Sequence, residues 1–156
     1  MKLLRYGEIG YEKPGLMDNN GDIRDLSSVV ADITGEILED GKLSELEDLD
    51  PTTLPLVSPD TRLGPCVGKV GKLMCIGLNY ADHAEETGAD IPEHPILFMK
   101  ANSAINGPND DIIPPRGSKY TDWEVELGIV IGKAAKYVDE NNACLLYTSD
   151  AADEGL

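Results

Sequence analysis

The chain has 156 residues, with 13 basic against 29 acidic side chains and a formal net charge of −16. That balance excludes a protein that works by gripping a phosphate backbone. With 41% hydrophobic and 27% charged residues, the composition belongs to a folded chain, long enough for one domain or for one small domain and part of another.

No apolar run approaches a membrane span, and Met1 to Glu12 carries Lys2, Arg5 and Glu8 with no leader-like core. A cytoplasmic protein with no membrane or nucleic-acid partner is expected. The cysteines Cys66, Cys75 and Cys144 are odd in number and lack pair-like spacing, so reduced thiols are expected rather than disulfides or a zinc site.

Lys2 to Tyr6 reads as a strand, and a second strand at Leu16 to Asp18 runs into Asn19-Asn20-Gly21-Asp22. An Asn-Gly pair predicts a type I′ hairpin, whose two central residues take positive φ. Ile23 to Leu26 would be the third strand. Ser27 or Ser28 would cap a helix carrying Val29, Val30, Ile33, Ile37 and Leu38, and a shorter helix would carry Leu43, Leu46 and Leu49 until Pro51 stops it. Residues 1–56 thus form a small α+β domain. The proline-rich text from Pro51 to Pro65 has no apolar periodicity, which places a linker at 57–71.

Further on, Lys72 to Gly77 is an apolar strand, Asn79 or Tyr80 opens a helix ending before Gly88, and Ile96 to Lys100 is another strand. Asp111 to Ile113 reads as extended, Pro114 to Lys119 as a loop, and the alternation from Trp123 to Ile131 as a long strand. Residues 72–143 are therefore mostly β with an inserted helix. No internal repeat, G-x-G-x-x-G or P-loop pattern occurs.

Three constellations carry chemistry. In Glu124-Val125-Glu126-Leu127 a period of two sends both carboxylates to one face, a spacing that suits Mg²⁺ or Mn²⁺ as well as a merely solvated strand face. His83 and Glu86 lie three apart on the expected helix, where the carboxylate can fix the imidazole tautomer for general-base work; an ordinary surface histidine among acids has the same pattern. Lys100 ends an apolar strand, from which its ammonium can stabilise charge on a carbonyl oxygen or simply reach water. Tyr120 and Trp123 could wall a pocket, and His94 receives no functional reading.

Taken together, Ile76 to Glu86, Phe98-Met99-Lys100 and Asp122 to Leu127 resemble the fumarylacetoacetate hydrolase family in order and spacing. The N-terminal part resembles bacterial members that act on 2,4-dioxo sugar acids. The resemblance implies an α+β fold, with the small N-terminal domain followed by the start of a mixed β-sheet roll. It implies Glu124 and Glu126 as metal ligands for Mg²⁺ or Mn²⁺, and His83, Glu86 and Lys100 as catalytic residues. It further implies a small 2-oxo acid substrate, cleavage of a C–C bond to give pyruvate, and a homodimer. Ureidoglycolate lyase and 2-oxo acid decarboxylase or hydratase are the alternatives in the same family. The family's third metal carboxylate and a second active-site lysine have no counterpart here. The tail 144–156 resembles translated sequencing-adapter read-through, so it is expected to be non-native and the chain to be an inactive fragment; a naturally short C-terminus is the other reading.

Overall fold

The computed structural model describes residues 1–38 and 42–143, together with the backbone of 147–149. The chain folds as two compact units, Met1–Lys69 with Gly107–Leu156, and Val70–Asn106. Among the described residues no helix is long and apolar enough to cross a membrane. The expectation that 144–156 is non-native falls outside the described residues, apart from the backbone at 147–149.

In the first unit, β1 (Lys2–Tyr6), β2 (Lys13–Met17) and β3 (Ile23–Asp25) make an antiparallel sheet in the order β1-β2-β3. The middle strand starts earlier than the sequence suggests and takes in Pro14 and Gly15, both buried. Proline lacks the N–H a central strand normally donates, but the Pro14 carbonyl still accepts from Leu26 N–H at 3.0 Å. Gly15 is required for space, because a Cβ there would sit 2.9 Å from Leu4 Cδ1 and 3.0 Å from Tyr6 Cδ1.

The β2–β3 connection is not the type I′ turn. Of its residues only Gly21 has a positive φ, +85°, while Gly21 N–H donates to Asp18 O and Asp18 N–H to Asp22 O. This is the longer hairpin in which a glycine follows the turn proper. The Asp18 carboxylate stabilises it, since Oδ1 accepts from Asn20 and Asp22 N–H while Oδ2 accepts from Arg24 Nε at 2.9 Å.

The helix expected after Ser28 does not form. Leu26 O accepts from Val29 and Val30 N–H in a single turn, and helical winding resumes only as a short 3₁₀ segment at Gly35–Leu38. Val29, Val30, Ile33 and Thr34 are β-branched and Gly35 interrupts them, which lowers helix propensity. Asp32 is drawn away as well, its carboxylate gripped by Arg5 from 27 residues earlier. The next helix, α1 (Lys42–Glu47), forms as its leucine spacing predicts. Leu16, Leu26, Ile33, Ile37 and Leu46 then make the core, with Leu3, Val30, Leu38, Leu49 and Leu54 against it. Each fully buried side chain of this kind contributes roughly 1.5–3 kcal/mol.

The proline-rich segment runs along both edges of the sheet. On the β3 side Asp25 N–H donates to Pro55 O and Val57 N–H to Ile23 O; on the β1 side Gly7 N–H donates to Arg62 O and Gly64 N–H to Arg5 O. Both outer strands thus find backbone partners, which blunts edges that would otherwise recruit other chains.

The second unit pairs β4 (Leu73–Gly77) antiparallel with β5 (Ile96–Lys100), and α2 (Ala81–Thr87) lies between them in sequence. In the first unit, β6 (Ile129–Ile131) pairs antiparallel with β7 (Tyr147–Ser149), after the short α3 (Glu140–Ala143). The long strand expected from Trp123 is therefore only its last three residues. Alternation alone does not make a strand without a neighbour to accept its hydrogen bonds, and residues 121–128 carry no strand pairing among the described residues.

Candidate functional site

Unit Val70–Asn106 holds three of the candidate residues. Its strand β4 turns into α2 through Leu78, which adopts φ +49°, a left-handed conformation uncommon outside glycine. Strained backbone of this kind clusters at sites where a side chain must be aimed. Just before it, Gly77 pairs with Ile96 at the end of the β4–β5 ladder.

Tyr80 is the N-cap of α2 and makes no side-chain capping bond, whereas Gly88 ends the helix at φ +66° with its N–H on the carbonyls of Ala84 and Glu85. Ala84 is the buried residue of this helix. His83 and Glu86 lie on exposed positions one turn apart, as their spacing predicts. The Asp82 carboxylate accepts from His83 N–H at 2.9 Å, and Thr87 Oγ1 donates to His83 O at 2.9 Å. The backbone at His83 is thus held from both sides while its ring faces solvent. Lys100 ends β5 opposite Leu73, four pairs from the Gly77–Ile96 end where the chain turns toward α2.

Glu124 and Glu126 belong to the other unit. Both are exposed, on the stretch that precedes β6, and the neighbouring Trp123 and Val125 are 88% and 85% exposed. Two carboxylates separated by one residue supply the hard oxygen donors of which Mg²⁺ and Mn²⁺ take one or two, with water completing the shell. The donor chemistry of the pair therefore fits such a cation. No cluster of three His, Cys, Asp or Glu able to hold an ion occurs among the described residues.

Sequence reasoning missed a chain of alternating charges in the first unit. Arg5 gives Nε to Asp32 Oδ1 at 2.7 Å and Nη2 to Oδ2 at 3.2 Å, and it approaches Glu12 at 3.7 Å. Glu12 Oε1 in turn accepts from Arg62 Nη1 at 3.1 Å, and Arg62 makes a fork onto Asp110. Burial of Glu12 disfavours its charge. Its own backbone N–H, the Arg62 hydrogen bond and the positive charges of both arginines outweigh that and hold the carboxyl below its ordinary range. The Arg62 hydrogen bond is foremost in lowering Asp110, against an opposing desolvation. Nothing local announces the hydrogen-bonded pairs Arg5–Asp32, Arg62–Asp110 and Glu12–Arg62, whose members stand 27 to 50 residues apart. The available hint was the set of glycines at 64, 68 and 107, each of which seats one of the carboxylates.

In chain order, a small sheet is followed by a strand, helix and strand bearing His83 and Lys100 and then by an E-x-E segment, an α+β organisation. Residues 72–147 match the family model described as fumarylacetoacetate hydrolase, C-terminal. A Burkholderia ambifaria protein whose name goes no further than hydrolase is 58% identical over 143 residues, 92% of this chain and 51% of its own length. Among solved structures, the fumarylacetoacetate hydrolase of the psychrophile Exiguobacterium antarcticum superposes with a TM-score of 0.71 at 28% identity, over 94% of this chain and 52% of that one. A Mycobacterium smegmatis protein assigned as HpcE gives 0.68 at 27%, with the same coverage. Residues 72–147 carry that family match, and the chain has the α+β fold of these solved structures, a small N-terminal part followed by the start of the mixed β-roll. It spans about half the length of the curated relatives it matches.

Proposed function

We propose that the protein is a divalent-metal-dependent hydrolase that cleaves a C–C bond of a 2,4-dioxo acid to release pyruvate. One observation carries this reading: all five candidate residues, His83, Glu86, Lys100, Glu124 and Glu126, fall inside the segment that matches the family. The strained Leu78 junction ahead of α2 supports it, as does the hydrolase naming of the relative.

In this reading Glu124 and Glu126 would hold Mg²⁺ or Mn²⁺, and the ion would supply Lewis-acid polarisation of a substrate carbonyl. Glu86 orients the His83 imidazole, and His83 takes a proton from a water molecule. The hydroxide adds to the C4 carbonyl, and Lys100 offsets the charge gathering on that oxygen. The C3–C4 bond then breaks, its electron pair stays with C3, and C3 takes up a proton. The products are pyruvate and the carboxylic acid derived from C4. A homodimer is part of the same proposal.

The test is a coupled assay that follows pyruvate from a 2,4-dioxo acid in the presence of Mg²⁺, with ureidoglycolate and glyoxylate detection run in parallel. Metal-dependent pyruvate release is the expected result. Glyoxylate from ureidoglycolate without pyruvate from the dioxo acid would transfer the assignment to a lyase. The 156-residue chain is to be assayed beside a polypeptide of the relatives' length, because it covers only 51% of such a relative. We expect the longer polypeptide to be active and this chain alone to be inactive.

A further inference from the structure

The chain leaves the first unit after Lys69 and returns to it at Gly107. Between those points lie β4, α2 and β5, and with them His83, Glu86 and Lys100. Arg62 stands just before the departure and Asp110 just after the return. Arg62 donates Nε to Asp110 Oδ1 at 2.7 Å and Nη2 to Oδ2 at 2.6 Å, a two-bond fork across 48 residues. Gly107 N–H donates to the same Oδ2 at 2.8 Å. A Cβ on Gly107 would collide with the Leu63 carbonyl oxygen and come within 2.6 Å of Asp110 Oδ2, so the outgoing and returning backbones touch here. The remaining Arg62 nitrogen, Nη1, is anchored on Gly7 O at 3.0 Å and Glu12 Oε1 at 3.1 Å, beside the sheet.

We propose that Arg62 and Asp110 are a staple that closes the 70–106 excursion at its root, within the first unit. A bidentate guanidinium–carboxylate fork fixes direction as well as distance, which a point charge such as lysine does not. Closing a long loop costs entropy, and a fork anchored on one side to the sheet holds both ends at a defined orientation.

The test is amide hydrogen exchange on the 156-residue chain and on its Asp110→Asn and Arg62→Lys variants. Asparagine keeps the shape of Asp110 without its charge, and lysine keeps the charge of Arg62 without the fork. In both variants the Gly64, Gly107 and Asp110 amides should exchange about tenfold faster, the size expected for losing a charged hydrogen bond locally. The amides of β1, β2 and β3 should stay within about twofold of the parent. Equal acceleration across β1, β2 and β3 would overturn the staple, by making the pair a part of the sheet's own stability. So would unchanged exchange at the three reporters, or full retention of protection by Arg62→Lys. Absence of pyruvate release by the polypeptide of the relatives' length would sink the hydrolase reading and leave this result standing.

Discussion

Gly64 and Glu12 are in such close contact that a Cβ added to Gly64 would lie 2.6 Å from Glu12 Cγ. The Glu12 side chain cannot swing away cheaply, because Arg62 holds one carboxylate oxygen at 3.1 Å and Arg5 faces the other at 3.7 Å. Gly64→Ala should therefore cost about 1–3 kcal/mol, the usual range for forcing a methyl into filled space. Gly71→Ala is the control, since nothing lies within 4 Å of its Cβ position. Comparable chemical-denaturation midpoints for the two variants would contradict the close contact.

The carboxylates set the acid limit of stability. Glu12, Asp18 and Asp110 have their folded pKa values held below the ordinary 4.5, 3.8 and 3.8. In Asp18, as in Glu12, burial opposes the charge and is outweighed, here by Arg24 and the N–H groups of Asn20 and Asp22. A depressed folded pKa stabilises the native state above the unfolded value and ceases to do so as pH falls through the folded one. The melting temperature should be flat from neutrality to roughly pH 5 and then fall, with net proton uptake on unfolding. Asp110→Asn should shallow that fall. An identical acid limb in the variant would remove Asp110 from the set.

Tyr6 sets an alkaline counterpart. Burial foremost, then a hydrogen bond to Asp25, pushes its phenol up to about 12. A raised folded value means stability that is complete below the ordinary 10.0 and lost as pH climbs through the folded one. Phenolate absorbance should show one tyrosine titrating late and in step with unfolding. Tyr6→Phe should abolish that late component.

Gly88 ends α2 in the left-handed region with nothing within 4 Å of where a Cβ would stand, so the backbone alone opposes substitution. Gly88→Ala should cost about 1 kcal/mol. The loss should be local, seen as faster exchange at the Gly88 and Ala89 amides that close the helix on Glu85 and Ala84. Global destabilisation without this fraying would argue that the cap is not the reason.

Under the proposed function, His83→Ala in a polypeptide of the relatives' length should lower turnover by ~10²–10⁴ and leave Mg²⁺ binding intact. Glu124→Gln combined with Glu126→Gln should instead abolish saturable Mg²⁺ binding by isothermal titration. Equal loss of metal in both variants would contradict the division of roles.

Local signals were the readable ones. Leu73–Gly77 and Ile96–Lys100 announce strands through short apolar runs, Lys2–Tyr6 reads as a mixed strand, and Gly88 announces the end of α2. The spacing of His83 and Glu86 needs only a helix to bring them to one side. What failed depended on distant partners. Ile33 and Ile37 have helical spacing, yet Arg5 claims Asp32 from across the sheet. Trp123 to Leu127 alternates, but a strand needs a neighbour that the period does not supply. The Arg62–Asp110 fork joins two stretches of unremarkable polar text.

The path of residues 55–64 along both outer strands bears on how the chain withstands being cut. Leu56 bridges to Arg24 and Leu63 to Tyr6, while Ser58, Pro59 and Asp60 between them are exposed, the last two in a turn closed by Thr61 N–H on Ser58 O. A protease nick at Asp60 would break the covalent thread there while each new end stayed hydrogen-bonded to the sheet, one to β3 and the other to β1. The nicked polypeptide should then travel as one particle under native conditions and as two pieces in denaturant.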